Sequence, residues 1–275
     1  MAITEILVHV DDSPAAESRL RAAVELAAAS KAHVSALYLV AEPFMRALVG
    51  RHLPEDFVRE QMATLEREAD ERLAGLAAIA QAKGVKLEVR RETATLDHLP
   101  AILARQGRRA DLIVVGPGTN TDGSALTEAA FMDTGRPALV VPTAWSGTLP
   151  PKRVLVAWDG SREAARAAGD AVPLLQAAED VIVLTVDAER AGSRFSDRPG
   201  FGLTTFLSRH GAKARVKQVG SSGGIADTIL GQVAEERADL LVMGGYGHSR
   251  MREMMFGGVT RSILETAPSP ILVAH

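Results

Sequence analysis

The chain has 275 residues, enough for one large domain or two of ordinary size. With 47% hydrophobic and 24% charged residues and a net charge of −3, it has neither the composition of a disordered chain nor a field that recruits nucleic acid. It has no cysteine, which excludes disulfides, thiolate zinc sites and cysteine nucleophiles together.

The opening, MAITEILVHVDDS, has no basic segment ahead of a long apolar core, and no apolar run long enough to span a membrane follows. A cytoplasmic location without membrane contact is therefore expected. Residues 6–10 (ILVHV) predict a short buried strand, which ends in the acidic turn Asp11-Asp12-Ser13. The alanine-rich run ESRLRAAVELAAASK then repeats its apolar positions at three and four residues, the period of an amphipathic helix. A second strand is predicted over 33–40, and a long charged, helix-forming insert over roughly 53–83. The stretch 60–72 within that insert is expected to form a solvated helix face or a dimer contact. The apolar segments 110–116 (ADLIVVG) and 135–142 (GRPALVVP) close the first half. Residues 143–152 (TAWSGTLPPK) have the Pro, Gly and Ser content of a linker.

The plan then repeats. RVLVAWDGS (153–161) matches the first strand and its turn, REAARAAGDAVPLLQAA the first helix, and DVIVLTV (180–186) the second strand. AERAGSRFSDRPGFGLTTFLSRHG replaces the long insert with a shorter segment, a loop before a short helix. ADLLVMG (238–244) and SPILV (269–273) match the two closing strands. Strands alternating with helices require a parallel sheet covered on both faces, because a parallel crossover needs a helix. The expected fold class is α/β, as two tandem five-stranded parallel-sheet sandwiches. The expected domains are 1–143 and 152–275.

In such sheets ligands bind beyond the carboxyl ends of the strands, where the strand order reverses. Gly244, Gly247 and Gly257 give G-x2-G-x9-G after the fourth strand of the second half, and a helix is expected over 258–265. Backbone N–H groups at glycines approach an anion closely, and a helix N-terminus adds partial positive charge. His248, Arg250 and Arg252 add donors within the loop.

This spacing, between ADLLVMG and VTRSILETAPSPILVAH, resembles the universal stress protein family, and the resemblance extends over the whole chain as two copies of a Rossmann-like, adenine nucleotide alpha hydrolase-like fold. It implies that Asp159 and Ala157 lie near an adenine base with Val186 beside them. It places Gly244, Gly247, His248, Arg250, Gly257, Gly258, Val259 and Thr260 along the sugar and phosphates. The implied ligand is ATP, with magnesium, in a stress-response protein that senses or signals, with at most slow hydrolysis. The family also pairs through its last strand, as a homodimer or, in a tandem chain, as an intrachain pseudo-dimer. Family binders carry Ser or Thr directly after the third glycine, whereas this chain has Gly258, with Thr260 two residues on. A hydrogen bond to a charged group is worth about 1.5–3 kcal/mol, so its loss would weaken binding roughly 10- to 150-fold. The first half lacks the glycine spacing and carries Asp122 in its shorter loop, so no nucleotide phosphate is expected there. The other reading is a non-nucleotide-binding dimeric interaction module of the same fold.

Other motifs admit plainer readings. Gly220-Ser221-Ser222-Gly223-Gly224 fits G-x-S-x-G, with Ser222 a nucleophile and His248 or His275 its base, but a glycine-serine turn before a helix explains it as well. The seven histidines are scattered without metal-ligand spacing, so no metal site is expected. His9, inside a strand, reads as a core group. Asp11 reads as a helix cap, while for Asp159 cap and ligand remain open. Met251, Met254 and Met255, at helical spacing, read as packing residues.

Overall fold

Short β-branched runs flanked by turns and alanine-rich helices dictate the architecture of this computed structural model, which describes residues 2–41, 55–118, 121–187, 200–221, 223–246 and 258–275. In the first half the described elements are β1 (Glu5–Val10), α1 (Ala15–Ser30), β2 (His33–Ala41), α2 (Glu55–Ala82) and β3 (Leu87–Ala94). A 3-10 turn (Leu96–His98), α3 (Leu99–Gly107), β4 (Leu112–Val115), α4 (Thr121–Met132) and β5 (Ala138–Val140) complete it. The second half runs through β6 (Arg153–Ala157), α5 (Arg162–Asp170), α6 (Val172–Ala177), β7 (Asp180–Val186) and α7 (Phe201–Arg209). It closes with β8 (Ala214–Val219), α8 (Ile225–Glu235), β9 (Leu240–Gly244), α9 (Val259–Thr266) and β10 (Ile271–Ala274).

The ten strands form one sheet in the order β3-β2-β1-β4-β5-β10-β9-β6-β7-β8. Within each half every pairing is parallel, as the near-continuous apolar strands require. The halves join where the last strands meet antiparallel, with Ile271 opposite Val140, Leu272 opposite Leu139 and Val273 opposite Ala138. All residues of β5 and β10 are buried. Left unpaired, each would be an apolar edge strand open to association. The last-strand pairing is thus made within the chain.

Helices cover both faces, giving two apolar layers. One contains Ile6, Val8, Leu20, Val24, Val154 and Val156, the other Leu7, Ile113, Phe131, Leu155, Leu241 and Ile263. Full burial of such a side chain stabilises the fold by about 1.5–3 kcal/mol. The insert helix α2 is more than a solvated face: Ala69, Leu76 and Ala80 are buried in the first layer, while Asp70 and Glu71 on its other side are exposed. The residues between β5 and β6 are also tied down, with Trp145 and Leu149 buried and the Leu149 N–H donating to Glu25 Oε2 at 2.8 Å.

The segment expected to form one helix after β6 breaks in two, α5 and α6. Pro173, at the start of α6, has no N–H to give and its ring opposes a continuous helix through Gly169 and Asp170. The aspartates of the two ADL motifs are structural. Asp111 Oδ2 accepts from the Thr4 and Glu5 N–H groups at 2.8 and 3.0 Å, and Asp239 Oδ2 from Lys152 and Arg153 at 3.0 and 2.8 Å. Each pins the start of one strand to its neighbour. Among the described residues no helix is long and apolar enough to cross a membrane.

Candidate functional site

Each half has a point where the strand order reverses. β1 lies between β2 and β4, and β6 lies between β7 and β9. The crevice beyond the strand ends at such a point is where this topology holds ligands.

In the first half the crevice is filled from inside. The Ser13 N–H and hydroxyl donate to Asp11 Oδ1 at 3.0 and 2.5 Å, closing a turn ahead of α1. The N-cap position itself falls on Pro14, without a side-chain cap bond, so Asp11 shapes the turn and does not cap the helix. Arg19, 4% exposed, reaches back from the second turn of α1. Its Nε donates to the His9 carbonyl at 2.9 Å and its Nη2 lies 2.7 Å from Asp11 Oδ1. A β-carbon on Gly116, just past β4, would lie 2.8 Å from Arg19 Nη1, so the guanidinium occupies the space under that strand end. Burial pushes the Asp11 carboxyl up, but Arg19 and the Ser13 hydroxyl outweigh it and hold the group below the usual carboxylate range. Burial, helped by the Arg19 charge, lowers the His9 pKa to about 4, so His9 is a neutral core group at neutral pH. Above the turn, the Tyr38 hydroxyl donates to Asp12 at 2.6 Å, and Arg72 of α2 donates to the Ser13 carbonyl at 2.7 Å. No motif in the sequence marks Arg19. Its signal is one of position: it sits eight residues past Asp11 in an alanine-rich helix, where the second copy has Ala167 eight past Asp159.

Among the described residues the second half has no such arginine plug. The Ser161 N–H donates to Asp159 Oδ1 at 2.9 Å, and Ser161 caps α5 by accepting from the Ala164 N–H at 3.1 Å. Asp159 is exposed and has no ion-pair partner among the described residues. With Ala167 in place of arginine, α5 closes directly on β9. A β-carbon on Gly244 would lie 2.5 Å from the Ala164 nitrogen and 2.7 Å from the Glu163 carbonyl carbon. Only glycine allows that approach. Glu163 is buried beneath it and pairs with the exposed Arg162. The register brings the other expected residues to the same end of the sheet. Ala157 lies opposite Leu184 of β7, Val186 ends that strand, and Gly244 ends β9 beside Ala274.

Gly258 is the N-cap of α9, with extended backbone angles and no side-chain cap bond. Gly258 itself offers no side-chain acceptor to the N–H groups of the first turn, Val259 and Thr260 included, which suits an anion. The Thr260 hydroxyl is buried and accepts from the Tyr246 N–H at 3.2 Å. Gly247, His248, Arg250, Arg252, Gly257 and the three methionines lie outside the described residues, as does Ser222.

The neighbouring motifs serve as structure. Ser221 donates its N–H to Asp187 Oδ1 at 2.8 Å and its hydroxyl to Asp187 Oδ2, joining the ends of β7 and β8. His275 Nδ1 lies 2.9 Å from the Gly245 carbonyl, which can only accept, so Nδ1 carries the proton. Among the described residues no group of three or more His, Asp or Glu is placed to hold a metal ion.

The universal stress protein family matches residues 3–126 and 150–275. No curated protein matches the chain. Among solved structures, a universal stress protein from Archaeoglobus fulgidus DSM 4304 is similar at TM-score 0.73 and 17% identity, covering 98% of this chain and 95% of its own. A functionally unknown protein from Pseudomonas aeruginosa PAO1 is similar at TM-score 0.58 and 19% identity, covering 99% and 92%. A universal stress protein in complex with cAMP is 21% identical at TM-score 0.37, covering 46% of this chain and 98% of its own. Likeness at these identities speaks to the fold alone. The family match spans both halves, and with the repeated strand order it identifies this chain as a tandem member of the universal stress protein family.

Proposed function

We propose that the chain is a nucleotide-sensing stress protein that holds one adenine nucleotide, ATP with magnesium, in its second half and none in its first. Its two units run over 1–143 and 152–275, and it works in the cytoplasm. The observation that carries this reading is the contrast between the switch points. Arg19 fills the first, whereas in the second Ala167 lets α5 close on Gly244 and leaves Asp159 exposed at the rim. The uncapped start of α9 supplies backbone donors to an anion arriving there.

In this reading Asp159 and Ala157 meet the base, with Val186 beside them. Gly244, Gly247, Gly257 and Gly258 follow the sugar and phosphates with the N–H groups of Val259 and Thr260, and His248 and Arg250 add charge. Magnesium would be held by the phosphates and water, since the described residues offer no cluster for it. In this reading the Asp159 carboxylate is committed to the base, so binding and signalling are the site's work, with at most slow hydrolysis.

One observation favours a second reading, a non-binding interaction module that acts as a dimer. Gly258 brings no hydroxyl, and that of Thr260 is buried. Calorimetric titration with Mg-ATP separates the two. The expected result is one site per chain, lost in Gly247→Val. No heat with ATP, ADP or AMP would leave only the second reading.

A further inference from the structure

The strand that enters the glycine loop is gripped by the other half of the molecule. Tyr246 follows Gly244 and Gly245 at the end of β9, with φ of +51°, a left-handed conformation uncommon for an aromatic residue. Its hydroxyl donates to Glu128 Oε1 of α4, in the first half, at 2.8 Å. Its ring stacks on Phe131 of the same helix, with centroids 5.8 Å apart and planes 25° from parallel. Gly245 makes room for this contact: a β-carbon there would lie 2.7 Å from Phe131 Cε2 and 2.9 Å from Val273 Cγ2. The Tyr246 N–H donates to Thr260 Oγ1, in the first turn of α9, so one residue ties the end of β9, the start of α9 and helix α4 together. The Gly245 N–H donates to the Ala274 carbonyl at 2.9 Å and its carbonyl accepts from His275, which fixes the residue before it.

A residue held in a left-handed conformation persists only where its surroundings over-determine it. Here the side-chain hold comes from the first half, 118 positions away in sequence at Glu128. We propose that Tyr246 is a positioning residue through which helix α4 of the first half sets the nucleotide affinity of the second. This rests on the nucleotide-binding reading above. The first half, with its own crevice plugged, then has a role: through Glu128 and Phe131 it holds the two described ends of the binding loop, Tyr246 and Thr260, in register.

Two variants test it, Tyr246→Phe and Glu128→Ala, with their double variant, all in the full chain. Tyr246→Phe keeps the ring on Phe131 and removes only the hydroxyl. Each single variant is expected to weaken Mg-ATP binding about 5-fold, the lower end of coupling between linked sites. The double variant should be no worse than either single one, because both cut the same bond. Unchanged affinity in the single variants, or effects that multiply in the double, would overturn the proposal. Amide hydrogen exchange at Gly245, Tyr246 and the first turn of α9 is read without ligand, and it should quicken in both variants. If the unaltered chain binds no adenine nucleotide, the proposed function falls. Exchange then decides the tie by itself: faster exchange supports it and unchanged exchange removes it.

Discussion

The two switch points of this molecule start from the same turn and end differently. In the first, Asp11 is bound to Ser13 and paired with a buried Arg19, whose guanidinium lies under Gly116. In the second, Asp159 is bound to Ser161 in the same way, but a buried Ala167 replaces the arginine and α5 rests its own backbone on Gly244. One substitution eight residues past the turn aspartate changes what occupies the crevice. A long cation holds the first helix off the strand and neutralises the acidic turn. A methyl group lets the second helix approach and leaves its aspartate facing solvent. A duplicated fold thus turns one crevice into core and leaves the acidic turn of the other facing solvent.

That comparison can be broken most directly at the two glycines. Gly244→Ala drives a β-carbon into helix backbone, which has no rotamer to yield, and should cost about 3 kcal/mol, at the upper end of overpacking. Gly116→Ala meets only the end of the Arg19 side chain and should cost distinctly less. Urea unfolding of both variants checks this, and equal costs would mean that the two helix approaches do not differ.

A comparable effect is expected from pH at His9. The folded chain refuses a proton until about pH 4, whereas the unfolded chain takes it at the ordinary histidine value of 6.5. Stability is therefore full above pH 6.5 and falls as pH drops towards 4, by about 3 kcal/mol in all. Asp11, held below its usual range, adds to the loss at still lower pH. His9→Gln should flatten the part between pH 6.5 and 4 in urea titrations. An unflattened curve would place the titrating group elsewhere.

Arg19→Ala removes the plug and leaves Asp11 without its partner. Because the Asp11 side chain is 35% exposed, the expected cost is about 2 kcal/mol, below that of breaking a fully buried pair. Asp159→Ala should sharpen the contrast from the other side. Ser161 still caps α5, so the fold should lose less than about 0.5 kcal/mol. ATP binding should fall about 10-fold, the equivalent of a single charged hydrogen bond. Denaturant curves and calorimetry on the same variant separate the two effects.

Much of this was legible in the residues. The alternation of apolar runs and alanine-rich helices determined the parallel α/β class, the two copies and nearly every strand, because a strand buried on both faces has to be apolar throughout. The glycine at the end of the fourth strand marked the crevice in each half, since a β-carbon there would meet helix backbone at Gly244 and the Arg19 guanidinium at Gly116. Pairing between distant segments is not written in local periodicity, and there the fold alone decided. It set Leu139 against Leu272 across the seam and turned one side of the charged insert towards the core. It also gave Arg19 and Tyr246 their parts. An arginine in a helix reads as a surface charge and a tyrosine in a glycine loop as a spacer. Only folding brings Asp11 to the one and Glu128 to the other, because a side chain's role depends on the groups that surround it once water has been removed.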